Sequence, residues 1–123
     1  MASRLTKEKD IPTALGAFEK VSQKDSDVGL IIVGSGPEKF GLTDKIILEP
    51  WVDQETLFSY YKTADAFLST SLYEGYGLSM LEANISGLKI VATDAGIATE
   101  LTKQVCPVGD AQCLAQELLK ILS

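Results

Sequence analysis

Val28-Gly-Leu-Ile-Ile-Val-Gly-Ser-Gly-Pro37 decides the fold: an unbroken aliphatic run closed by a glycine turn. The run has no polar alternation and is too short for a helix. It therefore reads as a strand buried on both faces, the kind found in parallel sheets. Working outward, Lys45 to Leu48 repeats the pattern before Pro50-Trp51, as do Asp65 to Thr70, Leu88 to Thr93 and a short piece at Val105 to Val108. Helical spacing lies between these runs. Ile11, Ala14, Leu15, Phe18 and Val21 follow it around Pro12, a residue suited to a first helical turn. Asp53 offers an N-cap to a helix through about Lys62 with Leu57, Phe58 and Tyr61 inward, and Asp110 caps a last helix carrying Leu114, Leu118, Ile121 and Leu122. Strands alternating with helices predict an α/β domain over residues 1–123, with a doubly wound, mostly parallel, Rossmann-like sheet covered on both faces.

Composition narrows the function. The chain has 123 residues, 46% hydrophobic and 23% charged, which suits one globular domain. A net charge of −6 leaves no general basic face for nucleic acid or an anionic membrane, so any phosphate site must be local. No apolar run approaches the roughly 20 residues of a membrane span. The chain has no His, which removes the commonest general base and the usual ligand of transition metals. Chemistry here must rest on binding and electrostatics. Cys106 and Cys113 make neither a disulfide framework nor a zinc site, and they read as buried thiols in a reducing cytoplasm. Asp25-Ser-Asp27 spells Asp-x-Asp, but it precedes its strand and reads as a loop.

Parallel sheets bind ligands at the carboxyl ends of their strands. Three glycine-bearing loops fall there: Gly34-Ser-Gly36, Glu74-Gly-Tyr-Gly77 and Asp94-Ala-Gly96. The second runs into a helical segment from Leu78 to Asn84, so that Glu74 and Glu82 flank a helix start. Unpaired N–H groups and the positive end of the helix dipole favour a diphosphate at such a start. A carboxylate on either side could then accept hydrogen bonds from sugar hydroxyls. The same spacing also serves two carboxylates that favour the dipole and face water.

Several segments in order carry a resemblance. They are Ser3-Arg-Leu-Thr-Lys-Glu-Lys9, Val33-Gly-Ser-Gly-Pro-Glu38, Pro50-Trp-Val-Asp53, Ala64-Asp-Ala-Phe-Leu-Ser69, the Glu-x7-Glu segment with Ala83, and Pro107-Val-Gly-Asp110. Together they resemble the carboxyl-terminal, donor-binding half of retaining glycosyltransferases of the GT-B fold, family 4. The resemblance implies transfer of a sugar from a nucleotide diphosphate-sugar with retention of configuration. It implies Arg4 and Lys9 on the donor diphosphate, Glu74 on the donor sugar and Glu82 on the ribose. Gly75, Tyr76, Gly77 and Leu78 would line the sugar and phosphate site. Gly34, Gly36, Trp51 and Val52 would border the nucleobase. No metal and no cofactor are implied.

The chain departs from that pattern. The amino-terminal, acceptor-binding domain is absent, and Met1-Ala-Ser-Arg4 reads as the tail of a strand, as in an excised domain. By itself such a domain would bind but hardly turn over. The implied location is cytoplasmic, with contact to the inner face of a membrane only through the absent half. Between Gly36-Pro-Glu-Lys39 and Leu42-Thr-Asp-Lys45, Phe40-Gly41 is too short for the family's usual helix, and the loop after Glu100-Leu-Thr-Lys-Gln104, before Val105, is short. Ala95 stands where a second glycine is common. Rival readings are a GT-B sugar-nucleotide epimerase or phosphorylase half, or a non-catalytic nucleotide-sugar-binding or assembly module.

Overall fold

The aliphatic runs become strands and pair in parallel. In the computed structural model, which describes residues 1–36, 43–74 and 77–122, β1 (Leu30–Val33) pairs with β2 (Ile46–Glu49), with Leu30 opposite Ile46. A second sheet has the order β3 (Ala66–Ser69), β4 (Lys89–Thr93), β5 (Val105–Cys106), again parallel. The sequence predicts one sheet; the described strands form two, and the start of the chain adds to the edge of the first. Ala2 bridges Val33 in parallel, with the Ser3 N–H donating to the Val33 carbonyl at 2.9 Å.

Helices cover both faces, as a doubly wound fold requires. On one face lie α1 (Ile11–Lys24) and α5 (Ala111–Leu122), where Ala14, Ala17, Val21, Leu114, Ala115 and Leu118 pack on Leu68 and Val91. On the other lie α2 (Gln54–Thr63), α3 (Leu78–Ile85) and the short α4 (Ala98–Leu101), where Leu57, Tyr61, Met80, Ala83 and Ala98 meet Phe67 and Ile90. Phe67 and Leu68, like Ile90 and Val91, are strand neighbours that point to opposite faces, so an unbroken apolar run feeds both cores. Caps fix the helix starts. Asp53 accepts from the Thr56 N–H at 2.7 Å and Asp110 from the Cys113 N–H at 2.9 Å.

Three expectations need correction. Ile31 is partly exposed, and Ile47 and Leu48 are exposed, so β1 and β2 are not buried on both faces. The reason is position: β2 is an end strand, and its pair takes cover chiefly from α1 through Leu30, Ile32 and the partly buried Ile46. Cys106 and Cys113 are not thiols but a disulfide, with Cα atoms 5.9 Å apart. The tight turn before Asp110 and the helix it caps return Cys113 to the end of β5, a closeness that spacing along the chain does not reveal. Finally, the loop after Asp94 holds α4, and a 3-10 turn at Lys7–Lys9 precedes α1; periodicity gives no signal for pieces this short. The shortened stretch at residues 37–42 lies outside the described residues.

Candidate functional site

The loops at the carboxyl ends of the strands converge on a cavity of about 280 Å3. Its lining includes Arg4, Lys9, Trp51, Glu74, Gly77 and Leu78. Six of the residues named from sequence thus share one cavity. Gly77 caps α3 in the left-handed region (φ 83°), and no side chain caps that helix. Its first N–H groups are left for another acceptor, and the positive end of the helix dipole lies beside them.

Glu74 and Lys9 form the centre. The Lys9 ammonium donates to Glu74 Oε1 at 2.7 Å, with the two side chains only 18% and 15% exposed. Their placement is built by residues that sequence reasoning missed. Ser71, buried, donates its hydroxyl to the same Glu74 oxygen at 2.6 Å. The Ser71 carbonyl in turn accepts from Thr93 Oγ1 at 2.6 Å. Thr70, fully buried, donates to the Lys9 carbonyl at 2.8 Å, and the Leu72 N–H donates to the Glu8 carbonyl at 2.8 Å. These bonds tie the turn bearing Lys9 to the loop bearing Glu74 at the ends of β3 and β4. The available signal was two hydroxyls directly after the β3 run, where strand ends meet loops.

The remaining predicted residues are distributed around this centre. Glu82 lies one turn into α3, outside the cavity lining, and accepts from Gln54 Nε2 at 2.9 Å. Its charge lies near Tyr61, whose phenol is pushed up to about 12, first by burial and then by Glu82. Trp51 is 47% exposed on the cavity, whereas Val52 packs against the core. Gly34 and Gly36 carry the close crossing of the first residues: a Cβ there would meet the Ser3 carbonyl oxygen at 1.7 Å and the Leu5 carbonyl oxygen at 2.5 Å. Gly96 faces Glu74, and a Cβ would sit 2.8 Å from Glu74 Cβ. Gly75 and Tyr76 lie outside the described residues. Tyr73 is exposed, and Asp25 and Asp27 form a turn before β1 in which the Asp27 N–H donates to Asp25 Oδ1. Among the described residues no cluster of three or more carboxylates or cysteines could hold a metal.

The glycosyl transferases group 1 family model matches residues 1–123. The chain belongs to that family. It is 32% identical over 99 residues to the alpha-monoglucosyldiacylglycerol synthase of Streptococcus pneumoniae, covering 73% of this chain and 22% of the relative. A point mutant of S. aureus TarM, in complex with Fondaparinux, alpha-GlcNAc-glycerol and UDP, superposes with a TM-score of 0.89 at 26% identity over 98% of this chain and 27% of that one. The pneumococcal O-GlcNAc transferase GtfA, in complex with UDP and GlcNAc, gives 0.81 at 28% identity over 98% and 27%. This group 1 chain therefore spans about a quarter of the length of these proteins, and its architecture is one Rossmann-like half of a GT-B fold.

Proposed function

We propose that this domain binds the nucleotide diphosphate-sugar donor of a retaining glycosyltransferase, and that sugar transfer requires an acceptor-binding domain supplied by the rest of the protein. The observation that carries the reading is the Lys9–Glu74 pair in the cavity that Arg4 and the uncapped start of α3 share. Two cations and a helix start make a local anion site on a chain whose net charge is −6. The presence of UDP in the structures of TarM and GtfA makes a UDP-sugar the first donor to try.

In this reading Lys9 exchanges partners. A diphosphate drawn to Arg4 and the α3 N–H groups takes the Lys9 ammonium, and Glu74, still held by Ser71, becomes free to accept from sugar hydroxyls. Glu82 exchanges Gln54 for the ribose. When the anomeric C–O bond breaks, both electrons stay on the diphosphate oxygen. Arg4, Lys9 and the helix start stabilise that charge, which is electrostatic catalysis without a protein general base. The acceptor hydroxyl forms the new bond on the same face that the diphosphate leaves and passes its proton to the departing diphosphate oxygen. The chain's own residues supply binding and charge; no metal or cofactor enters the proposal. Action in the cytoplasm is part of the same proposal.

Kinetics of the full-length protein test it. Glu74→Ala lowers kcat by a factor of about 100 or more, because an interaction that strengthens in the transition state is lost. Glu82→Ala chiefly raises the donor KM. Near wild-type values for both variants would remove the assignment.

A further inference from the structure

The Cys106–Cys113 bond ties the last residue of β5 to the first turn of α5. The two ends of that tie are held very differently. α5 is anchored in the core by Leu114, Ala115 and Leu118. β5 has only two residues, and it meets β4 through the Ala92 N–H donating to the Gln104 carbonyl at 3.1 Å and the Asp94 N–H donating to the Cys106 carbonyl at 2.9 Å. A strand with so few bonds opens locally at low cost, so the disulfide is its firmest hold.

Both supports of Glu74 depart from the stretch that Cys106 holds. Thr93, buried and opposite Cys106 in the ladder, donates Oγ1 to the Ser71 carbonyl at 2.6 Å, and the Ser71 hydroxyl donates to Glu74 Oε1 at 2.6 Å. Asp94, bonded to the Cys106 carbonyl, leads two residues on to Gly96, where a Cβ would lie 2.8 Å from Glu74 Cβ. The Leu72 N–H, bonded to the Glu8 carbonyl at 2.8 Å, reports how firmly the Glu74 loop is tied down. Access to the two sulfurs is unequal. Cys106 is buried, whereas Cys113 is partly exposed, so an outside thiol reaches Cys113 first.

We propose that Cys106–Cys113 is a redox switch on the candidate site: the disulfide fixes the Thr93–Gly96 stretch and with it Glu74, and the dithiol loosens both. In reduction an outside thiolate attacks Cys113 Sγ, the S–S bond breaks, and its electron pair leaves on Cys106 Sγ, which takes a proton. A second outside thiol then displaces Cys113 from the mixed disulfide, so two thiols leave as one disulfide and both cysteines end as thiols. Oxidation runs the same steps backwards, with a low-molecular-weight disulfide as the oxidant. The effect on donor binding rests on the donor reading of the cavity; the loosening of Glu74 does not.

Amide exchange of this chain is followed by NMR with the bond closed, after dithiothreitol, and in Cys113→Ser, which cannot close it. Asp94 and Leu72 exchange about tenfold faster in both open forms, beyond any change at Val21 in α1, and dithiothreitol adds nothing to Cys113→Ser. The Kd for a UDP-sugar rises about fivefold or more when the bond opens. Exchange at Asp94 and Leu72 that changes only as much as at Val21 overturns the proposal, because the bond then supports overall stability alone. Faster exchange with an unchanged Kd overturns it as well. If neither form binds a donor, the donor reading falls, and exchange at Leu72 alone decides whether Glu74 is switched.

Discussion

Glu74 is held from three directions, by the Ser71 hydroxyl, by Lys9 and by the close backbone of Gly96. Each contact has its own test. Ser71→Ala removes a buried bond to a charged acceptor and lowers stability by roughly 1–3 kcal/mol in urea unfolding, and Ser71→Thr recovers part of the loss. Gly96→Ala forces a methyl against the Glu74 side chain at a backbone φ of 58° and costs about 1–3 kcal/mol. Tyr61 adds a pH dependence. Its phenol titrates near 10 in the unfolded chain and near 12 when folded, so above pH 10 the unfolded state holds fewer protons. Stability should therefore be unaffected by this group below pH 10 and fall as pH rises toward 12. Urea midpoints across that range measure it, and Tyr61→Phe should flatten the fall.

Elements were legible where local chemistry and burial agree. The long amphipathic α1 and α5, the Asp53 and Asp110 caps, and the β3 and β4 runs all lie where spacing and capping predict them. Exposure of β2 was not legible, since a strand's place at the end of a sheet depends on strand order, which local composition does not carry. The Ser71 and Thr70 contacts were hidden for a related reason: their partners Glu8, Lys9 and Thr93 are brought near only by the fold. The disulfide belongs to this group, and its removal is measurable. Opening the Cys106–Cys113 bond, with a sequence separation of 7, should lower stability by about 2 kcal/mol and release the first turn of α5. Thermal melts with and without reductant test this, and Cys113→Ser should match the reduced form. In the proposed cytoplasmic setting such bonds open, and the dithiol form sets the domain's stability.

At the scale of the whole molecule, the described strands form two sheets that share one site. β1 and the first residues bring Arg4 and Lys9; β3 and α3 bring Glu74 and the helix start. Neither sheet alone holds both the cations and the carboxylate, so the proposed donor binding should couple them and stabilise the domain as a unit. None of the described helices is long and apolar enough to cross a membrane. Family membership rests on the whole chain, but the relatives are about four times longer, so transfer itself must be measured on a full-length protein. The proposed donor binding can be measured on this chain directly. Isothermal titration with UDP-, GDP- and ADP-sugars should give saturable heat for at least one of them, and Lys9→Ala should weaken that binding by tenfold or more, at about 1.4 kcal/mol per tenfold. No heat and no rise in Tm with any of the three at millimolar concentration would contradict the account.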